Sequence, residues 1–188
     1  MISKQEKLKA QKKFKKLEKY LISCFANRKV KIIRKIDKET PREGEKEGIF
    51  IKLFLAPALS AYFKDRRIKV IVEGVNSNGE TQFQDEFFGS KPAPDFLFRA
   101  DSQPMLVDNR RVLPFPLNTV GEVKYGKLTF SLFTKGLGQI IGYLNADKKF
   151  DYGYYVFFNT NINKTITDRD KEFLEELWER ENIFVVII

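Results

Sequence analysis

Apolar residues recur at helical spacing near the start of the chain, at Leu8, Phe14, Leu17, Leu21 and Ile22, while Lys9, Lys12, Lys13, Lys15, Lys16 and Lys19 fill the other faces. This period predicts an amphipathic basic helix. Residues 30–36 alternate apolar and basic positions, which fits either a short strand or the tail of that helix. Thr40-Pro41-Arg42-Glu43 then reads as a helix start, with a capping Thr, a Pro suited to the first helical position and a Glu three residues after the cap. The helix carries Glu47 and an apolar run over 49–55, and Pro57 must kink or restart it before 58–63.

Beyond residue 68 the pattern changes to strands. Residues 69–75 and 81–88 flank the turn Asn76-Ser77-Asn78-Gly79 and predict a hairpin. After a break at Lys91-Pro92-Ala93-Pro94, residues 95–99 read as a strand, 100–117 as a polar excursion and 119–125 as the next strand. Residues 131–144 have helical period, 152–158 form an apolar run short enough for a buried strand, 167–181 an acidic helix capped by Thr167, and 183–188 a β-branched strand. The order helix, three strands, helix, strand, helix, strand predicts an α/β fold with a central mixed β-sheet flanked by helices.

The 188-residue length suits one domain, and the absence of His with a single Cys, Cys24, removes whole classes of chemistry. Zinc sites built on thiolate or imidazole, an internal disulfide, and Ser-His or Cys-His nucleophilic mechanisms are all excluded, so a metal must be held by oxygen. The net charge of +9 is uneven: residues 1–36 carry 13 Lys plus Arg against Glu6 and Glu18, and the rest carries 21 against 23. This divides the chain into a basic helical extension, 1–36, and a near-neutral domain, 37–188. Such a helix has three readings: binding nucleic acid, lying on an anionic membrane, or forming a solvated outer face. No run of about 18 apolar residues exists, so a soluble, cytoplasmic protein without membrane association is expected.

The informative chemistry lies in Pro94-Asp95 and in Glu122-Val123-Lys124. In a strand, Glu122 and Lys124 share one face and Val123 takes the other. If the strand following Asp95 lies alongside, two carboxylates converge on a site suited to Mg²⁺ or Mn²⁺, with the Val123 carbonyl as a further oxygen donor. Lys124 can hold an attacking water, and burial beside a metal would lower its pKa. Taken singly these residues have plainer readings, as an exposed ion pair, a turn opener and, for Gln139 with Tyr143 further on, a surface pair.

Taken in order, PDFLFR, GEVKY and Gln139-Ile140-Ile141-Gly142-Tyr143 resemble the PD-(D/E)XK nuclease superfamily, the last segment being similar to the QxxxY motif of its RecB-like members. The resemblance covers roughly residues 40–158. It implies a restriction-endonuclease-like αβββαβ core, metal ligation by Asp95 and Glu122, Lys124 as catalytic lysine, and Gln139 with Tyr143 positioning phosphate or Lys124. Glu47 is similar to the additional acid on the family's first helix, with Glu43 and Glu45 competing for that place. Departures are the long excursion before Glu122, and the lack of the four Cys of cluster-bearing members and of the His of others. The expected function is metal-dependent hydrolysis of DNA, with the lysines of residues 1–36 neutralising phosphates. The alternatives are an RNA-cleaving member and a nucleic-acid-binding protein on an inactive nuclease fold. Association is open, a homodimer being the arrangement many small nucleases of this type use.

Overall fold

Phe14, Leu17, Leu21 and Phe25 lie three or four residues apart, so a helix through them presents one continuous apolar face. In the computed structural model this helix is α1 (Lys4–Phe25), and those four residues are buried. Ser3 caps it: its hydroxyl accepts from the Glu6 amide, and the Glu6 carboxylate takes the Ser3 amide. The structure describes residues 2–64, 68–72, 93–100, 105–107, 110–112, 118–146 and 150–188, with the side chains of 68–72, 99–100, 105–107 and 110–112 left undescribed. The turn at 76–79 and the strand at 81–88 lie outside these residues.

A 3-10 turn, Ala26–Arg28, leads into α2 (Lys29–Glu39). Residues 30–36 are therefore helical, with Ile32 and Ile36 buried one turn apart, and residue 36 falls inside this helix. Thr40 does not cap the next helix as its motif predicts. Its amide makes the last bond of α2, to the Ile36 carbonyl at 3.0 Å, and its hydroxyl accepts from the Arg42 amide at 3.1 Å and donates to Glu45 at 2.8 Å. With Thr40 spent in this way, α3 (Glu43–Phe50) begins two residues later, behind Arg42. The helical path continues through a π turn, Ile51–Leu55, into α4 (Ala56–Phe63). Pro57 offers no N–H to the carbonyl four residues back and its ring crowds that carbonyl, a misfit that the wider turn ahead of it absorbs.

The strands are β1 (Ile68–Val72), β2 (Phe96–Ala100), β3 (Met105–Val107), β4 (Arg110–Val112), β5 (Thr119–Gly126), β6 (Tyr152–Asn159) and β7 (Ile183–Ile187). Helices α5 (Phe130–Ala146) and α6 (Asp168–Glu181) follow β5 and β6. Five strands make one mixed sheet in the order β1-β2-β5-β6-β7, antiparallel from β1 to β5 and parallel from β5 to β7. The α/β class and the mixed sheet flanked by helices are as the pattern predicts. The excursion over 100–117 holds an unpredicted hairpin, β3 with β4, as a separate two-stranded sheet. Thr167 caps α6 with Asp170 as read, and Asn182 ends the helix in the left-handed conformation, φ 56°, before the chain enters β7.

Each face of the sheet carries a large core, and Leu97, Val120 and Tyr143 form a smaller third cluster. On one face α1 to α4 meet Val123, Tyr154, Val156 and Phe158; on the other α5 and α6 meet Tyr155, Phe157, Ile183 and Val185. The segment 1–36 thus supplies a large part of the first core. Among the described residues no helix is long and apolar enough to cross a membrane.

Candidate functional site

β2 stays paired with β5 only from Phe98↔Thr119 to Phe96↔Gly121, so among the described residues β5 runs on with an open edge beyond Gly121. Two carboxylates close that edge. Asp95, immediately ahead of β2, accepts the Val123 amide through Oδ2 at 2.6 Å, and Glu47 of α3 accepts the Tyr125 amide through Oε2 at 3.3 Å. Buried amides need acceptors, and here side-chain oxygens replace a missing strand. Pleating sends Glu122 and Lys124 to the α5 face, where they are 1% and 4% exposed, while Val123 enters the opposite core.

Oxygens of Glu47, Asp95 and Glu122 all lie within 4.8 Å of one another, and among the described residues no other grouping of this kind occurs. Lys124 bridges two of them, its Nζ donating to Glu122 Oε1 at 2.6 Å and to Glu47 Oε1 at 3.0 Å, and also to the Val123 carbonyl at 2.9 Å. All three ammonium donors are used. Of the competing acids, Glu43 pairs with Lys46 at 2.5 Å and Glu45 with Arg42 at 3.0 Å, so only Glu47 reaches the cluster.

The electrostatics follow from crowding three acids around one cation in a poorly solvated place. Asp95 is pushed up to about 8, first by burial and then by the charge of Glu122, against the stabilising Val123 amide. Glu122 is also raised, by burial, although Lys124 opposes this. For Lys124, burial is the largest influence and acts downward, but the charges and hydrogen bonds of Glu122 and Glu47 together outweigh it and hold the ammonium above its ordinary value.

Glu122 Oε2 is buried with no hydrogen-bond partner. The nearby Tyr143 hydroxyl favours the charged form of Glu122, and a cation would favour it further. An all-oxygen set of Glu47, Asp95, Glu122 and the Val123 carbonyl, which points at Lys124, suits a hard cation such as Mg²⁺ or Mn²⁺.

Gln139 and Tyr143 sit one turn apart on α5, facing the cluster. The Tyr143 hydroxyl donates to the Ala93 carbonyl at 3.2 Å, tying α5 to the segment that carries Asp95. Burial, and then the charges of Glu122 and Asp95, hold its proton firmly in place. Gln139 Oε1 is buried without a partner. Lys9, Lys12, Lys15, Lys16 and Lys19 are exposed and Lys13 half-buried, on a helix that covers the sheet face opposite Glu122 and Lys124.

Sequence reasoning passed over three contributors. A Cβ at Gly136 would collide with the Tyr155 hydroxyl and lie 2.8 Å from Lys124 Cγ, so glycine lets α5 close onto the site. Asn159 Oδ1 accepts the amides of Leu128 and Asn161, each at 3.0 Å, fixing the turn between β5 and α5. The Ala93 carbonyl anchors Tyr143. Of these only Gly136 leaves a trace, a glycine inside a helical period.

No family model matches the chain, and neither the curated proteins nor the solved structures contain a match to it.

Proposed function

We propose that this protein is a divalent-metal-dependent nuclease of the PD-(D/E)XK type, on a restriction-endonuclease-like fold, hydrolysing phosphodiester bonds in DNA. The observation that carries the reading is the convergence of Glu47, Asp95 and Glu122, from a helix, a strand entrance and a strand, around Lys124, with one buried glutamate oxygen left without a partner. The agreement of this geometry with the order PD, ExK and QxxxY supports it further.

A bound Mg²⁺ or Mn²⁺ would neutralise charge on the phosphoryl oxygens and acidify a water. Glu47, Asp95 and Glu122 would hold it, with the Val123 carbonyl beside them. Lys124, rooted between these ligands, would orient the attacking water with its ammonium. Tyr143 keeps Asp95 in place through Ala93. The water would give up a proton to solvent, its oxygen would bond to phosphorus as the bond from phosphorus to the leaving sugar oxygen breaks, and the leaving oxygen would take up a proton from solvent.

The test is incubation of wild type and Asp95→Ala with labelled single-stranded, duplex and branched DNA and matched RNA, in Mg²⁺, Mn²⁺ or EDTA. Cleavage that needs metal and falls by about 10³-fold or more in Asp95→Ala is expected, the loss of roughly 4 kcal/mol of transition-state stabilisation. Binding without cleavage in any metal would replace this reading with that of an inactive nuclease fold, and cleavage confined to RNA would change the substrate.

A further inference from the structure

Most of the excess positive charge of the chain lies in residues 1–36, yet α1 and α2 stand in different relations to the acidic cluster. The exposed lysines of α1 lie on the far side of the sheet from Glu122 and Lys124. α2 packs on that same face, but against α3, the helix that carries Glu47. Its Asp37 pairs at 2.8 Å with Lys46, the residue next to Glu47, and its Lys29 ammonium sits 5.9 Å from the centre of the Phe158 ring. Phe158 stacks on Tyr125 at 5.4 Å, one residue beyond Lys124.

On α2, Lys31, Arg34, Lys35 and Lys38 fall at i, i+3, i+4 and i+7, and all four are exposed, on the side away from the buried Ile32 and Ile36. Such spacing stacks them into one ridge, neighbours about 5–6 Å apart. Among the described residues none of the four has an ion-pair partner, whereas Lys46, Lys124 and Lys171 all do. This cationic ridge is free of ion pairs, though the Lys35 ammonium also lies 5.7 Å from the centre of the Phe54 ring, and its length of about 10 Å matches the axial rise of about three phosphates on one strand of a duplex.

We propose that the α2 ridge of Lys31, Arg34, Lys35 and Lys38, rather than α1, binds the DNA phosphate backbone next to the acidic cluster and delivers the scissile strand to it. The proposal rests on the nuclease reading for its substrate, but its test does not depend on cleavage. The fourfold variant K31Q/R34Q/K35Q/K38Q and the α1 control K12Q/K15Q/K16Q/K19Q are compared with wild type, in EDTA, for binding of a fluorescent 20-base-pair duplex across a salt series. Both variants alter exposed side chains, and unfolding curves confirm that each is folded.

The α2 variant should bind at least about tenfold more weakly at 100 mM salt, with a log–log salt slope shallower by about 3 to 4, close to one phosphate contact per residue removed. The α1 control should stay within about threefold of wild type. An α2 variant that binds like wild type, an α1 control that loses as much, or a wild type that binds phosphatidylserine vesicles and no DNA would each overturn the proposal. Loss of binding through α2 in a protein that cleaves nothing would sink the nuclease reading and leave this one standing.

Discussion

Glu122, Val123 and Lys124 are consecutive on β5, yet they belong to two differently built regions. Val123 enters a core of aromatic rings, where Phe14 meets Tyr152, Tyr154, Trp178 and Phe184 at centroid distances of 5.2 to 5.9 Å. Glu122 and Lys124 turn to the other face, where three acids, a buried ammonium and an oxygen without a partner are held together. The first region gains free energy by excluding water from apolar surface. The second gives some of it up, since burying paired charges rarely returns the cost of desolvating them. That difference separates a purely apolar core from a face whose own apolar core gives way, at β5, to a cluster of buried charges.

Substitutions on the two faces should separate stability from activity. Phe14→Ala should cost about 3–5 kcal/mol in urea unfolding and leave the cleavage rate per folded molecule unchanged. Removal of residues 1–36 should abolish folding for the same reason, because Phe14, Leu17, Leu21 and Phe25 go with it. Glu122→Gln should do the reverse, abolishing metal-dependent activity with no loss in Tm.

Gly136→Ala tests where the faces meet the helix layer. The added methyl group must displace the Tyr155 hydroxyl and crowd the stem of Lys124, so a cost of about 1–3 kcal/mol is expected together with a fall in kcat. Stability lost with kcat preserved would show that α5 can shift without disturbing Lys124.

A smaller effect should appear in the dependence on pH. Asp95 moves from an ordinary 3.8 to about 8 on folding, so between these values the folded chain holds more protons than the unfolded one. Its contribution to stability is therefore full below pH 4 and declines as pH rises through about 8. In EDTA, Tm should fall over this window, and Asp95→Asn should flatten the decline. Mn²⁺ should raise Tm more at pH 8 than at pH 6, because it binds the deprotonated acids. Equal Mn²⁺ shifts at both pH values would argue against ligation by these carboxylates.

Much of this architecture is legible in local pattern. α5, β6, α6 and β7 follow from periodicity and caps, and the order of Asp95, Glu122 and Lys124 on successive strands places them together. What escapes the sequence is tertiary. Thr40 has the chemistry of a cap, but α2 already uses its amide. The choice of Glu47 over Glu43 and Glu45 depends on which side chain reaches the unpaired amide of Tyr125. The upward shift of Lys124 needs two acids, one of them 77 residues away. The lysines of α1 read as a basic extension of the domain, yet the apolar stripe between them is part of the domain's core.

The most direct test of the central claim is a crystal structure determined in Mn²⁺. The account predicts one ion with oxygens of Asp95 and Glu122 at about 2.0–2.3 Å, and Lys124 Nζ withdrawn from Glu122. A cluster without an ion, in which Lys124 keeps its bonds to Glu122 and Glu47 at saturating Mn²⁺, would contradict it.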